Sequence, residues 1–163
     1  MQSTDKKTDK SQPLLLIVDD EPGVRQSLQL VFNKTYRTIE AASAEDAIQK
    51  TMEESPDLIL LDIMMPGTDG LAVLKQIKSA NGECQVIMLT GLNTARTAFA
   101  AKATGAFDYV TKPFDIEELR LRVEHALEKV QLSRELERLK EEVGYKLDIG
   151  IRFLTIHAIL TML

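Results

Sequence analysis

At 163 residues the chain is long enough to bury one ordinary core with extensions at its ends. Its 28% charged and 44% hydrophobic residues are those of a water-soluble globular protein, and a net charge of −5 argues against a general binder of phosphate backbones, which needs a basic face. One cysteine, Cys84, excludes an intrachain disulfide, so nothing here requires an oxidising compartment.

Met1 to Gln12 is polar, carries lysines and lacks the apolar centre of a signal peptide, so residues 1–12 read as a disordered lead-in to a cytoplasmic protein. Leu14-Leu15-Leu16-Ile17-Val18 is an uninterrupted apolar run ending in Asp19-Asp20-Glu21. Without alternation it suits a strand buried on both faces. Pro22 fits the first turn of a helix whose stripe is Val24, Leu28, Val31 and Phe32. Tyr36 to Glu40 reads as a short strand. Ser43 is the expected N-cap of a helix through Glu53 that turns Ala44, Ala47, Ile48 and Met52 inward. Ser55-Pro56-Asp57 breaks the chain before a second full apolar run, Leu58 to Leu61, which meets Asp62 and then the turn residues Pro66-Gly67 and Asp69-Gly70.

Leu71 to Lys78 reads as a helix with Leu71, Leu74 and Ile77 inward. Cys84 is a small packing residue before the third run, Val86 to Leu89, which ends at Thr90-Gly91. An alanine-rich helix follows from about Thr94 to Thr104 and stops at Gly105. Phe107 to Val110 is the last strand, then Thr111-Lys112-Pro113, and Asp115 with Glu118 forms a capping box for a long helix from Ile116. His125 lies on that helix, away from the strand ends, as a solvated residue.

Strand and helix thus alternate five times, which predicts an α/β fold: a parallel sheet covered by helices on both faces. Right-handed crossovers place every strand's carboxyl end on one rim. Asp19, Asp20, Asp62, Thr90 and Lys112 meet there. Three carboxylates at one rim stay ionised together only beside a cation, and oxygen ligands without Cys or His favour Mg²⁺. Asp62, isolated on the central strand, is the candidate nucleophile, since carboxylates form acyl-phosphates. Phosphoryl transfer needs mainly positioning and charge neutralisation, which Mg²⁺, the Lys112 ammonium and the Thr90 hydroxyl supply.

The segments V-D-D-E-P at 18–22, L-D-I-M-M-P-G-T-D-G at 61–70, L-T-G at 89–91 and Y-V-T-K-P-F at 109–114 together resemble the receiver domain of bacterial two-component response regulators, over about Pro13 to Leu127. The resemblance implies a flavodoxin-like, doubly wound, five-stranded sheet. It implies that Asp62 accepts phosphate from a partner sensor histidine kinase, the chain being a phosphoacceptor and not an enzyme in the ordinary sense. Asp20 and Asp62 then bind Mg²⁺ directly, with the Met64 main-chain carbonyl as third ligand and Asp19 acting mainly through water. Thr90 and Tyr109 are the implied switch pair, and Lys112-Pro113 the implied cis peptide. Gly91 departs from the alanine usual at its position, which opens the approach and loosens the Thr90 loop. The two positions that influence water attack on the acyl-phosphate hold Met64 and Leu92, so self-dephosphorylation is expected to be slow.

Beyond the domain, the last helix is expected to reach about Val143. Leu119, Val123, Ala126 and Val130 form a stripe that should pack on the domain. Leu132, Leu136, Leu139 and Val143 form a second, out of phase, flanked by charges of alternating sign. Residues 128–143 therefore read as a dimerising linker, the alternative being a single solvated helix. The linker resembles those of enhancer-dependent, sigma-54-type activators, yet no phosphate loop and no helix-turn-helix follows, so direct nucleic-acid binding is not expected. Ile151 to Leu163 is lipophilic, but its thirteen residues are interrupted by Arg152 and His157 and are too short to span a bilayer. Residues 144–163 as a whole form an apolar run without a trustworthy period. They read either as a truncated or frame-shifted remnant or as a tail docking on a dimer partner. Two other functions compete: a pseudo-receiver that dimerises without phosphorylation, against which the complete acidic set and Lys112 argue, and an Asp-nucleophile phosphohydrolase, whose second Asp is replaced here by Met64.

Overall fold

The structure, a computed structural model, describes residues 12–91 and 95–162. Its elements are β1 (Leu14–Val18), α1 (Pro22–Phe32), β2 (Arg37–Ala41), α2 (Ala44–Glu54), β3 (Leu58–Asp62), α3 (Gly70–Ala80), β4 (Gln85–Thr90), α4 (Ala95–Thr104), β5 (Asp108–Thr111) and α5 (Ile116–Met162). The five strands are parallel in the order β2-β1-β3-β4-β5, the flavodoxin-like doubly wound sheet. β3 is central, with Val18 opposite Leu61 on one side and Leu89 opposite Asp62 on the other.

The apolar runs lack alternation because both faces of the sheet are covered. Leu16, Val18, Ile59, Leu61, Val86 and Met88 share one core with Ala47 of α2, Val73, Leu74 and Ile77 of α3 and Ala101 of α4. Their chain neighbours Leu15, Ile17, Leu58, Leu60, Ile87 and Leu89 share the other core with Leu28 and Phe32 of α1 and Leu119, Val123, Ala126 and Leu127 of α5. Cys84 is buried in the first core, as its place before a strand predicts. His125 is exposed.

Caps explain the helix starts. Ser43 Oγ accepts from Asp46 N at 3.2 Å, and an Asp69 carboxylate oxygen accepts from Leu71 N at 3.0 Å, so α3 opens at Gly70, one residue before the apolar stripe. Asp115 accepts from Glu118 N at 3.0 Å, while the Glu118 carboxylate engages Arg122 at 3.2 Å.

Two side-chain expectations change. Met52 is exposed, not inward, and Thr51 takes the buried place. The inward face of α2 runs 44, 47, 48, 51, one helical stripe, and the Thr51 hydroxyl escapes its burial cost by donating to Ala47 O at 2.7 Å. In α3, Val73 joins the core beside Leu74 and Ile77, while Leu71 is only partly buried.

The last helix also differs. It continues past Val143 to Met162, and no proline interrupts it. Gly144 and Gly150 each cost about 1 kcal/mol against alanine, but Lys146–Glu142 and Arg152–Asp148 ion pairs at one-turn spacing span those positions. The expected stripe Leu119, Val123, Ala126 and Val130 is buried. Contacts divide the chain after Leu127 into two compact units. In the second unit Leu132, Leu136, Leu139 and Val143 are all exposed, beside the intrahelical pairs Glu135–Arg138 and Glu137–Lys140. Among the described residues no helix is long and apolar enough to cross a membrane.

Candidate functional site

The rim is built from the ends of β1, β3, β4 and β5. Asp19 follows β1 and is buried. One of its carboxylate oxygens accepts from Glu21 N at 2.9 Å and the other from Lys112 Nζ at 2.8 Å. Asp20, next along, is exposed. Asp62 is the last residue of β3 and only 4% exposed. Its Oδ1 accepts from Met64 N at 2.9 Å, which leaves Oδ2 facing Lys112 Nζ at 3.3 Å. Carboxylate oxygens of Asp19, Asp20 and Asp62 lie within 4.8 Å of one another. The sheet brings Asp19, Asp20, Asp62 and Lys112 together from positions as far as 93 residues apart.

Thr90 ends β4, fully buried, and its carbonyl accepts from Lys112 N at 2.6 Å, which carries the β4–β5 pairing up to the lysine. The Lys112–Pro113 peptide is cis. Tyr109 pairs in register with Met88 and packs, half-buried, against the first core. Met64 is half-exposed, while Met65 turns into the core.

The electrostatics follow from burial. Burial pushes the Asp62 carboxyl above the ordinary carboxylate range and the Asp19 charge adds to this, against the Met64 N–H and Lys112. For Lys112, burial works against the ammonium, but the hydrogen bond to Asp19 and the charges of Asp62 and Asp19 outweigh it and raise its pKa. One ammonium therefore serves two buried carboxylates, Asp19 and Asp62. The matched family model, "Response regulator receiver domain", covers residues 15–124.

The chain belongs to the response regulator receiver family.

Among relatives, this receiver is 41% identical over 107 residues to Sporulation initiation phosphotransferase F of Bacillus subtilis, which spans 65% of this chain and 86% of that protein. It is 38% identical over 131 residues to Regulatory protein AtoC of Escherichia coli, covering 80% of this chain and 28% of that one. Among solved structures, NtrX from Brucella abortus superposes with a TM-score of 0.74 at 34% identity, covering 82% of this chain and 30% of its own. The chain thus spans less than a third of the AtoC and NtrX proteins it resembles.

The acidic rim fits the Mg²⁺ that receivers use. The donor set is hard oxygen, the negative charge exceeds what Lys112 balances, and Asp20 is open to solvent. Asp57, also buried, plays no part in this rim: it lies at the other end of β3 and accepts from Leu14 N at 2.6 Å.

Two features near the rim were not legible in the sequence: the close approach at Gly70, which the sequence marks only as a turn residue, and the grip of Arg25 on the loop after β1. Gly70 lies where an added Cβ would stand 2.5 Å from Ile63 Cβ and 2.8 Å from Ile63 Cα, so a bare backbone lets α3 close on the residue after Asp62. Arg25 Nη1 donates to the carbonyls of Asp19, at 2.8 Å, and Asp20, at 3.2 Å. Its signal in the sequence was slight: an arginine one turn into the helix that follows paired acids. Leu92, expected with Met64 to influence water attack on the acyl-phosphate, falls outside the described residues.

Proposed function

We propose that this receiver accepts a phosphoryl group on Asp62 from a partner sensor histidine kinase in a Mg²⁺-dependent reaction. An Asp62 carboxylate oxygen forms the new bond to phosphorus, the bond from phosphorus to the kinase histidine nitrogen breaks, and the electron pair returns to the imidazole. Lys112 is placed to neutralise phosphoryl oxygens beside Asp62, and the Thr90 hydroxyl donates one hydrogen bond. Asp20, Asp62 and the Met64 main-chain carbonyl would hold the ion directly, with Asp19 acting mainly through water. An ion held there would neutralise negative charge on the phosphoryl oxygens.

The observation that carries this reading is the Lys112 ammonium, in reach of both Asp19 and Asp62. After transfer, Thr90 moves toward the phosphoryl group and Tyr109 follows into the space it leaves, so the α4–β5 surface changes. Output then passes by protein contact, in a cytoplasmic setting, with residues 13–127 as receiver, 128–143 as a linker joining two copies and 144–163 as an appended tail.

Incubation with acetyl phosphate and Mg²⁺, beside Asp62→Ala, tests the chemistry. A stable adduct that requires Asp62 supports the proposal. No adduct favours a phosphorylation-independent binding module, and continuous phosphate release a phosphohydrolase. Met64 and Leu92 offer no group to orient water, so the adduct decays slowly; loss within seconds contradicts that part.

A further inference from the structure

We propose that Arg25 is a positioning residue for the paired carboxylates after β1, holding their backbone while touching neither phosphate nor ion. This rests on reading the rim as a Mg²⁺-dependent phosphoacceptor. β1 keeps register with its neighbours up to Val18 and Asp19 N still donates to Ala41 O of β2 at 3.2 Å, but the carbonyls of Asp19 and Asp20 lie past the last register pair and need other donors. α1 opens with Pro22, which has no N–H to offer.

Arg25 is one turn in, its own N–H bonded to Glu21 O at 3.2 Å. Long helical side chains lean toward the N-terminus, so its guanidinium returns to the loop it came from. There Nη1 bridges the two successive carbonyls at 2.8 and 3.2 Å. A donor shared between them sets the peptide plane joining the aspartates, and with it the direction in which each carboxylate leaves the chain.

The other side of the guanidinium faces β2. Arg25 Nε lies 4.0 Å from Glu40 Oε1, and both atoms are buried without a hydrogen-bond partner among the described residues. Glu40 is itself anchored, its carbonyl accepting from Lys50 Nζ at 2.5 Å and its backbone in register with Ile17. An ordinary surface pair would leave the arginine in solvent, whereas this side chain is 14% exposed and its short contacts go to the loop carbonyls.

Charge and positioning predict opposite results. A guanidinium near a cation site opposes the cation, so if charge alone mattered its removal would tighten Mg²⁺ binding. If it positions the aspartates, removal weakens binding, as loss of outer-shell partners does by roughly ten- to a hundredfold. The experiment is calorimetric titration of the unphosphorylated full chain with Mg²⁺ at fixed ionic strength, for wild type, Arg25→Ala and Arg25→Lys. A second measurement is the Mg²⁺ dependence of labelling by acetyl phosphate.

The expected result is about tenfold weaker Mg²⁺ binding in Arg25→Ala, a matching rise in the half-saturating Mg²⁺ concentration with less change in the plateau rate, and partial rescue by lysine. A folded Arg25→Ala variant that binds Mg²⁺ as wild type does, or more tightly, overturns the assignment. Should alanine fail to fold, Arg25→Gln, which keeps the stem without the charged fork, replaces it with the same two outcomes. Wild type that binds no Mg²⁺ overturns the phosphoacceptor reading and this one together; wild-type binding with an unchanged variant overturns this one alone.

Discussion

Lys112→Met removes the cation from a buried carboxylate pair. In the folded protein the ammonium lies 2.8 Å from Asp19 and 3.3 Å from Asp62, whose side chains are 2% and 5% exposed. At an effective dielectric constant of about 20, the two contacts are worth about 6 and about 5 kcal/mol. Desolvation of the ammonium returns several kcal/mol of this, and stripping a buried pair of one partner costs about 3–5 kcal/mol in practice. The lysine side chain is 27% exposed, so the lower end applies, about 3 kcal/mol at pH 7 without Mg²⁺.

The loss has a defined pH dependence. Asp62 already has a raised carboxyl pKa, from burial first and then from Asp19, and losing Lys112 raises it further. A group raised in the folded state leaves stability intact below its unfolded pKa and removes it as pH climbs through the folded value. The deficit of Lys112→Met therefore shrinks as pH falls from 7 toward the ordinary carboxylate range and grows in the other direction. The wild-type lysine, itself raised, keeps its contribution through neutral pH and loses it only in alkali. Urea unfolding in EDTA at pH 7 and pH 5 measures both quantities, and saturating Mg²⁺ should narrow the gap. A variant within 1 kcal/mol of wild type at pH 7 (about a third of the expected loss), or one with equal deficits at both pH values, refutes the reasoning.

Other perturbations test the frame around the rim. Gly70→Ala forces a Cβ against the Ile63 backbone, and overpacking of that kind costs about 1–3 kcal/mol; urea unfolding reads the loss, and wild-type stability would show that α3 shifts freely. Ser55, the C-cap of α2, sits at φ 49°, ψ 61°, a left-handed conformation that penalises a side chain by about 1–2 kcal/mol, so Ser55→Gly should raise the melting temperature by several degrees. Asp108 bonds Tyr109 N at 2.8 Å, pairs with Arg122 and lies 3.5 Å from Lys102. Burial opposes its ionisation, but these donors outweigh burial and hold its pKa below the ordinary range. Its contribution is thus present above the unfolded carboxylate pKa and lost as pH falls through the folded one. Asp108→Asn should cost about 1 kcal/mol at pH 7, with the difference from wild type vanishing in acid; thermal melts across pH 7 to 3 follow it.

Much of the rim was legible in the chain because strands and acids coincide. Val18 before Asp19-Asp20, Leu61 before Asp62 and Leu89 before Thr90 each mark a strand's end, and parallel crossovers send all such ends the same way. Elsewhere local pattern failed for identifiable reasons. Met52 looked buried because methionine is apolar, yet position 51 completes the stripe of α2, and threonine could fill it by bonding its own helix. The tail after Val143 showed no trustworthy apolar period, and its helix depends on continuity, ion pairs at one-turn spacing and the absence of proline.

The order of elements, the burial of β1, β3 and β4 on both faces and the strand-end positions of Asp19, Asp20, Asp62 and Lys112 were determined by sequence alone, since each depends on periodicity or turn chemistry within a dozen residues. Which Asp62 oxygen faces Lys112, how Arg25 grips the loop, and how closely the backbone at Gly70 approaches Ile63 were decided by tertiary structure. Those facts depend on distances between segments far apart in the chain, which close packing sets to tenths of an ångström and local propensity does not encode.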